Sequence, residues 1–340
     1  MQGSVIYGPG DVRFEQRDDP TITESTDAII KISATCVCGS DLWDYRGINQ
    51  ITEPTPMGHE YCGVVQAVGR DVRRVRPGQF VIGSFFASDN TCAICQAGYH
   101  TSCIHRQFIG AGGAQAEYLR VPLADGTLVA TPDIPSRELI PSLLAASDVL
   151  GTGWFAAIAA EVRSGNTVAV VGDGAVGLLG VLAARQLGAD TIIAMSRHQD
   201  RQKLALDFGA SDIVTARGDD GVAHIKELTD GLGAHSVIEA VGTQESMMQA
   251  IRATRPGGHV GYVGVSHGVE LPGQELFYSH VHLHGGPAPV RRFLPELIDL
   301  IWNDQIDPGR VFDLNLPLSD VAEGYQAMDQ RRAIKALLWP

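Results

Sequence analysis

Thr167-Val168-Ala169-Val170-Val171-Gly172-Asp173-Gly174-Ala175-Val176-Gly177 reads as a buried strand that runs directly into a glycine-rich turn and then a helix. A G-x-G-x-x-G pattern alone is a weak signal. Placed between a strand and a helix, each glycine acquires a task. The first permits the tight turn, the second lets backbone approach a pyrophosphate, and the third lets helix and strand pack closely, with the helix N-terminus facing the phosphates. Gly172, Gly174, Ala175, Val176 and Gly177 are therefore expected to line a dinucleotide site.

Outward from this loop the texture is βαβ. Val176 to Leu187 has helical length with Gly188 at its end, and Thr191–Met195 is a second apolar run of strand length. Ser236–Ala240 and His259–Val265 continue the series, with helical stretches between them. Strands spaced by helices imply a parallel sheet covered on both faces. We assign 152–287 to a Rossmann doubly wound domain within an α/β chain.

Residues 1–151 are different, rich in short β-branched runs such as AIIKISA, GVVQAV and QFVIGSFF broken by Gly and Pro, as in a compact β-rich domain. Residues 288–340 offer a helix from Leu294 to Trp302, an extended segment, a helix from Val321 to Met328 and a strand from Ala333 to Trp339. This tail is too small to stand alone and is expected to pack on the first domain.

Chemistry concentrates in the first third. All six cysteines, at 36, 38, 62, 92, 95 and 103, lie there, a clustering that in a reducing compartment reads as metal binding before disulfides. Cys36 and Cys62 fall inside apolar runs and read as buried small side chains. Cys38-Gly39-Ser40-Asp41 and Gly58-His59-Glu60 bring together a thiolate, an imidazole, a hydroxyl and carboxylates. An open zinc site wants three protein ligands and one free position. Cys38 and His59 supply two, and spacing alone does not identify the third.

The formal net charge of −13 excludes a polyphosphate partner, which needs a basic footprint, so no nucleic acid is expected. The segment MQGSVIYGPGDVRF lacks the basic and apolar regions of a signal peptide, and no apolar run has membrane-spanning length. A soluble cytoplasmic protein is the expectation.

Cofactor choice is read at the end of the second strand, where an NAD site places an acidic residue for the ribose 2′-hydroxyl. Ser196 and Arg197 stand there instead. Without the carboxylate a 2′-phosphate is not repelled, and a guanidinium suits it, so NADP(H) is the expected cofactor.

Taken in order, Cys38-Gly39-Ser40-Asp41, Gly58-His59-Glu60 with Gly63 and Gly69, the cysteines from 92 to 103, Ser147-Asp148 and the Gly172–Gly177 loop resemble the zinc-dependent medium-chain alcohol dehydrogenases over essentially the whole chain. The resemblance implies a GroES-like catalytic domain made from both chain ends, a Rossmann domain inserted between them, and a homo-oligomer, dimeric or tetrameric. It supplies Asp148 as the third ligand of a catalytic zinc beside Cys38 and His59, and Glu60 as the glutamate next to that metal. Asp41 would orient His59. Hydride would pass between NADP(H) and a small alcohol or its aldehyde or ketone, with Ser40 as the hydroxyl that relays the substrate proton. The histidine that many relatives use farther out is here Trp43. A structural zinc lobe is implied at Asp89, Cys92, Cys95 and Cys103, with aspartate replacing the first of the family's four cysteines. Lys335 falls where relatives carry a basic residue at the cofactor pyrophosphate; the alternative is a solvated lysine.

Trp43, Phe85, Phe86 and Trp154 are candidate pocket walls, and His280, His282 and His284 alternate as an exposed strand face would. Two other functions share parts of this pattern. A metal-free NADPH-dependent quinone or enal reductase would lack Cys38, His59 and Asp148, and a non-catalytic nucleotide-binding protein would not need Ser40. The residues leave open which alcohol or carbonyl is used, and in which direction.

Overall fold

The run AIIKISATC forms the strand Ala28–Cys36, and its branched apolar side chains explain why it becomes the centre of a sheet. Tyr61–Val68 and Tyr118–Val121 pair with it antiparallel, as does the distant Ala336–Trp339, through Leu337 opposite Cys36 and Leu338 opposite Thr35. Phe80–Gly83 and Leu128–Ala130 extend this sheet on one side and Leu314–Pro317 on the other. A smaller sheet orders Asp11–Gln16, Gln2–Gly8 and Thr55–Pro56. One apolar cluster is drawn from both ends of the chain, joining Ile6, Val37, Leu42 and Met57 to Val321, Tyr325, Ala336 and Leu338.

The structure, a computed structural model, describes residues 1–340 and divides into two units, Met1–Asp148 with Pro289–Pro340, and Val149–Ala288. The second unit begins three residues earlier than the composition change suggests. The helix Val149–Ala159, nearly all buried, packs on the helix Ala175–Gln186 and belongs with it. The helix Val290–Trp302 likewise starts before the Leu294 expected, so Pro295 lies in its second turn and not at its start.

The second unit holds six strands, all parallel: Asp212–Val214, Thr191–Met195, Thr167–Val171, Ala234–Glu239, Thr254–Tyr262 and His282–Gly285, in that spatial order. Counted along the chain, this is the 3-2-1-4-5-6 order of a doubly wound nucleotide fold, which reverses direction beside Thr167–Val171. His280 is not on the edge strand. It ends the preceding helix Gly273–Ser279 in a left-handed conformation, leaving His282 and His284 alone on the exposed face.

The glycine loop is built as the sequence requires. Gly172 has φ of +118°, and a Cβ on Gly177 would lie 2.0 Å from the Gly172 carbonyl oxygen, so strand turn and helix touch there. A Cβ on Gly174 would meet nothing within 4 Å. Gly177→Ala is expected to lower stability by about 1–3 kcal/mol through overpacking. Gly174→Ala should melt within about 1 kcal/mol of the parent. Thermal unfolding of the two variants checks the contrast, and a Gly177→Ala protein as stable as the parent would contradict the contact.

Candidate functional site

Two paired strands end at the same place. Thr35 opposes Tyr61, so Cys38, just beyond one strand, and His59, just before the other, become neighbours although they are distant along the chain. Asp148 arrives at the end of the first unit's opening segment, after the helix Ile140–Ala145. The ligand atoms of Cys38, His59, Glu60 and Asp148 all lie within 4.8 Å of one another, and all four residues are buried. His59 Nε2 is 3.2 Å from Asp148 Oδ2, and Cys38 Sγ is 3.9 Å from the same oxygen.

Asp41 stands behind His59, its Oδ1 3.3 Å from Nδ1, while its Oδ2 accepts from the Cys38 amide at 2.9 Å. One carboxylate therefore aims the imidazole and fixes the cysteine backbone. Gln115 supports it, donating Nε2–H to the Cys36 carbonyl at 3.0 Å and to Asp41 at 3.4 Å. Its Oε1 accepts from Ser4 and Tyr325. No sequence motif marks Gln115, because its task depends on contacts from three remote segments.

Lys335 is wholly buried, with Nζ 2.6 Å from Glu60 Oε1 and 3.1 Å from the Val37 carbonyl. It is neither a solvated lysine nor exposed to a pyrophosphate, because the antiparallel pairing of Leu337 with Cys36 turns it inward. Burial works against its charge, yet Cys36, Glu60 and Cys38 hold its pKa well above the usual lysine range. Burial, and then Glu60, push the Cys38 thiol up, whereas Lys335 and His59 pull it down. Burial also lifts the Glu60 carboxyl, against Lys335. The His59 imidazole is pulled down by burial but carried well above its usual range by Asp41, Cys38 and Asp148.

Glu60 Oε2 is buried with no hydrogen-bond partner, inside a group of thiol, imidazole and carboxylates. A buried, orphaned anionic oxygen among such donors fits a divalent cation, and the S, N and O set is zinc's. Ser40 precedes the short helix Asp41–Tyr45 and its side chain caps no amide there. Phe85 and Phe108 flank His59 with ring centroids at 6.1 and 5.7 Å. Phe86 packs on both phenylalanines. Phe108, exposed and outside every motif, was not legible as a wall. Trp43 is half-buried in the helix beside Ser40, Asp44 accepts from exposed Asn49, and Trp154 is buried in the second unit.

Asp89, Cys92, Cys95 and Cys103 form a second group with ligand atoms within 4.8 Å. Their sulfurs collect amide donors. Cys95 N donates to Cys92 Sγ at 3.5 Å, and the amides of Asp89 and His105 donate to Cys103 Sγ at 3.4 Å. Amide bonds from Cys95 and Ile104 bring the Cys92 thiol down to about 7. The Asp89 carboxyl is held well below its usual range. Burial opposes this, but bonds from the Thr91 and Cys92 amides and from His105 outweigh it. His105, with Nδ1 2.7 Å from Asp89 Oδ2, is a partner that spacing did not reveal. All six cysteines are free thiols, with Cys36 and Cys62 buried in strands.

In the second unit, the open space over Gly174 at the start of the helix Ala175–Gln186 fits a phosphate approaching backbone. Ser196 is buried at the end of Thr191–Met195, and its hydroxyl donates to Asp173 Oδ2 at 2.7 Å. It is therefore already engaged, whereas Arg197 is exposed. Arg201, absent from the motif reading, donates from Nη1 to the Asp173 carbonyl at 3.1 Å.

Residues 24–133 match the family model for the alcohol dehydrogenase GroES-like domain, and residues 175–303 the model for zinc-binding dehydrogenases. A Mycobacterium tuberculosis protein named as a probable zinc-binding alcohol dehydrogenase is 37% identical over 332 residues, covering 96% of this chain and 84% of its own length. An NADP-dependent isopropanol dehydrogenase of Entamoeba histolytica is 30% identical, covering 92% of this chain and 87% of its own. Among solved structures, alcohol dehydrogenase TADH from Thermus sp. ATN1 superposes with a TM-score of 0.92 at 30% identity, covering 100% of this chain and 99% of that one.

Lys335→Met leaves Glu60 buried without its cation and should cost about 3–5 kcal/mol in chemical denaturation. Adding Glu60→Gln should restore part of the loss, and an unchanged single variant would rule out the pairing. Elemental analysis should find about two zinc ions per chain, one for an open and one for a closed site. Cys103→Ser should remove one of them and lower the melting temperature; a single zinc in the parent would leave the lobe empty.

Proposed function

This chain belongs to the zinc-dependent medium-chain alcohol dehydrogenase family, and from that premise we propose that it exchanges a hydride between NADP(H) and a small alcohol or its aldehyde or ketone. The observation that carries the reading is the buried convergence of Cys38, His59 and Asp148. Cys38, His59 and Asp148 would hold a zinc ion, which would supply a Lewis acid for the substrate oxygen, and a bound nicotinamide would carry the hydride.

The remaining work falls to the chain's own residues. Asp41 fixes the His59 ring through Nδ1, which keeps Nε2 turned toward Asp148. Cys38 and Asp148 complete the ligand set. Glu60 keeps one oxygen on Lys335 and the other directed at no protein donor, so it sits beside the metal ligands as a carboxylate in reserve. The Ser40 hydroxyl accepts the substrate's proton and passes it outward. Beyond Ser40, Trp43 stands where many relatives carry a histidine for the next step of that relay. Phe85 and Phe108 exclude water from the imidazole side. The reading extends to a homo-oligomeric cytoplasmic enzyme, as relatives of this kind are expected to be.

NADP(H) is the proposed dinucleotide. Ser196 takes the place of the acidic residue at the end of the second strand, and Arg197 lies exposed beside it. A charge-assisted hydrogen bond contributes about 1.5–3 kcal/mol, or about one to two powers of ten. A metal-free quinone or enal reductase would have no use for the buried thiol, imidazole and carboxylate set, which counts against that alternative.

The test is NADPH and NADP turnover across primary and secondary alcohols, aldehydes and ketones. At least one class should be turned over, with a preference for the phosphorylated cofactor of about tenfold in kcat/KM. His59→Ala should abolish turnover while NADPH still binds by fluorescence titration. A His59→Ala protein with parental rates would overturn the proposal.

A further inference from the structure

Asp173, the second residue of the glycine loop, carries a carboxylate to the end of the second strand, where the sequence has no acid. Its Oδ2 accepts from Ser196 Oγ at 2.7 Å. Its Oδ1 lies 3.5 Å from Arg201 Nη1, which also donates to the Asp173 carbonyl at 3.1 Å. Both side chains are only 11% exposed. Neighbouring bonds hold the arrangement. The His198 amide donates to Ser196 Oγ at 3.2 Å, and Gln202 Nε2 donates to the Ser196 carbonyl at 2.9 Å. Arg201 and Gln202 both come from the first turn of the helix Gln199–Asp207.

Arg197 and Arg201 stand here as cations and Asp173 as a nearly buried carboxylate of the opposite tendency, while Asp200 and Lys203 of the same helix are exposed. A carboxylate beside a ribose accepts from hydroxyls and repels a phosphate, and a guanidinium does the reverse. Asp173 also occupies the two groups best suited to a phosphate, the Ser196 hydroxyl and the Arg201 guanidinium.

The geometry points to Asp173 and Arg201 as an opposed pair that sets how strongly the chain distinguishes NADP(H) from NAD(H), with Arg201 the second cation for the 2′-phosphate and Asp173 its competitor. The inference rests on the proposed dinucleotide site but not on which cofactor the parent prefers. When a 2′-phosphate is present, Arg201 exchanges the Asp173 carboxylate for the phosphate oxygens. When it is absent, Arg201 stays on Asp173 and the loop keeps its shape. The pair therefore limits the preference that Arg197 alone would confer.

Fluorescence titration of NADPH and NADH with the full-length protein separates the possibilities without relying on turnover. Asp173→Asn keeps an acceptor for Ser196 and removes the charge. It should tighten NADPH about tenfold and leave NADH within about threefold, on the scale of one charge-assisted hydrogen bond. Arg201→Gln should weaken NADPH about tenfold with NADH again nearly unchanged, and Arg201→Lys should recover part of the loss. NADH affinity thus reports that the loop remains folded. Equal weakening of both dinucleotides by Arg201→Gln would reduce Arg201 to a loop support and overturn the inference. So would an unchanged NADPH to NADH ratio in both charge-removing variants. The parental ratio tests the NADP(H) proposal separately: a parent that favours NADH, with ratios that still shift as described, would refute that proposal and retain this pair.

Discussion

Lys335 pressed against Glu60, beside Cys38, His59 and Asp148, is the constraint on which the catalytic unit depends. Several groups that bind protons or cations are gathered out of water, and their charges must be balanced where they stand. Burial alone disfavours every ionised form. Lys335 balances one oxygen of Glu60, and the other has no protein donor. Taking Lys335 away would strand a carboxylate in the interior, a far larger loss than a surface ion pair would bring. The lysine sits just before the chain's last strand, Ala336–Trp339, and the glutamate just before Tyr61–Val68, so the two ends of the chain must fold together.

The two candidate metal groups solve the same problem differently. The buried set relies on side chains, with Asp41 behind His59 and Lys335 behind Glu60. The lobe relies on backbone, with three amide donors reaching sulfur at 3.4–3.5 Å. Backbone bonds of that kind favour thiolate without a nearby cation. Asp89 joins the lobe as a carboxylate already held by two amides and by His105. A harder oxygen in place of sulfur still completes a set of four donors, with weaker affinity expected for zinc.

Much of this was legible from residues because it is local. The glycine loop, the strands Thr167–Val171 and Thr191–Met195 and the Cys-Gly-Ser-Asp and Gly-His-Glu clusters announce themselves by type and spacing. Partners supplied from elsewhere were not. Lys335 could be read only as a cofactor contact or a solvated residue, since nothing near it in sequence shows that Leu337 pairs with Cys36. The bond between Ser196 and Asp173 was not legible, because Asp173, two positions into the glycine motif, carries no pattern of its own. Phe108 and His105 sit in the lobe's return segment, where irregular backbone hides which side chains face His59 and Asp89. The early starts of Val149–Ala159 and Val290–Trp302 were missed because small residues and an internal proline blur the helical period.

An anomalous difference map at the zinc absorption edge, from crystals of active protein, tests the central claim most directly. The account predicts a zinc peak bonded at about 2.0–2.3 Å to Cys38 Sγ, His59 Nε2 and an Asp148 carboxylate oxygen, with the fourth position taken by water or substrate oxygen. Crystals of fully active protein with no anomalous density among these three side chains would contradict it.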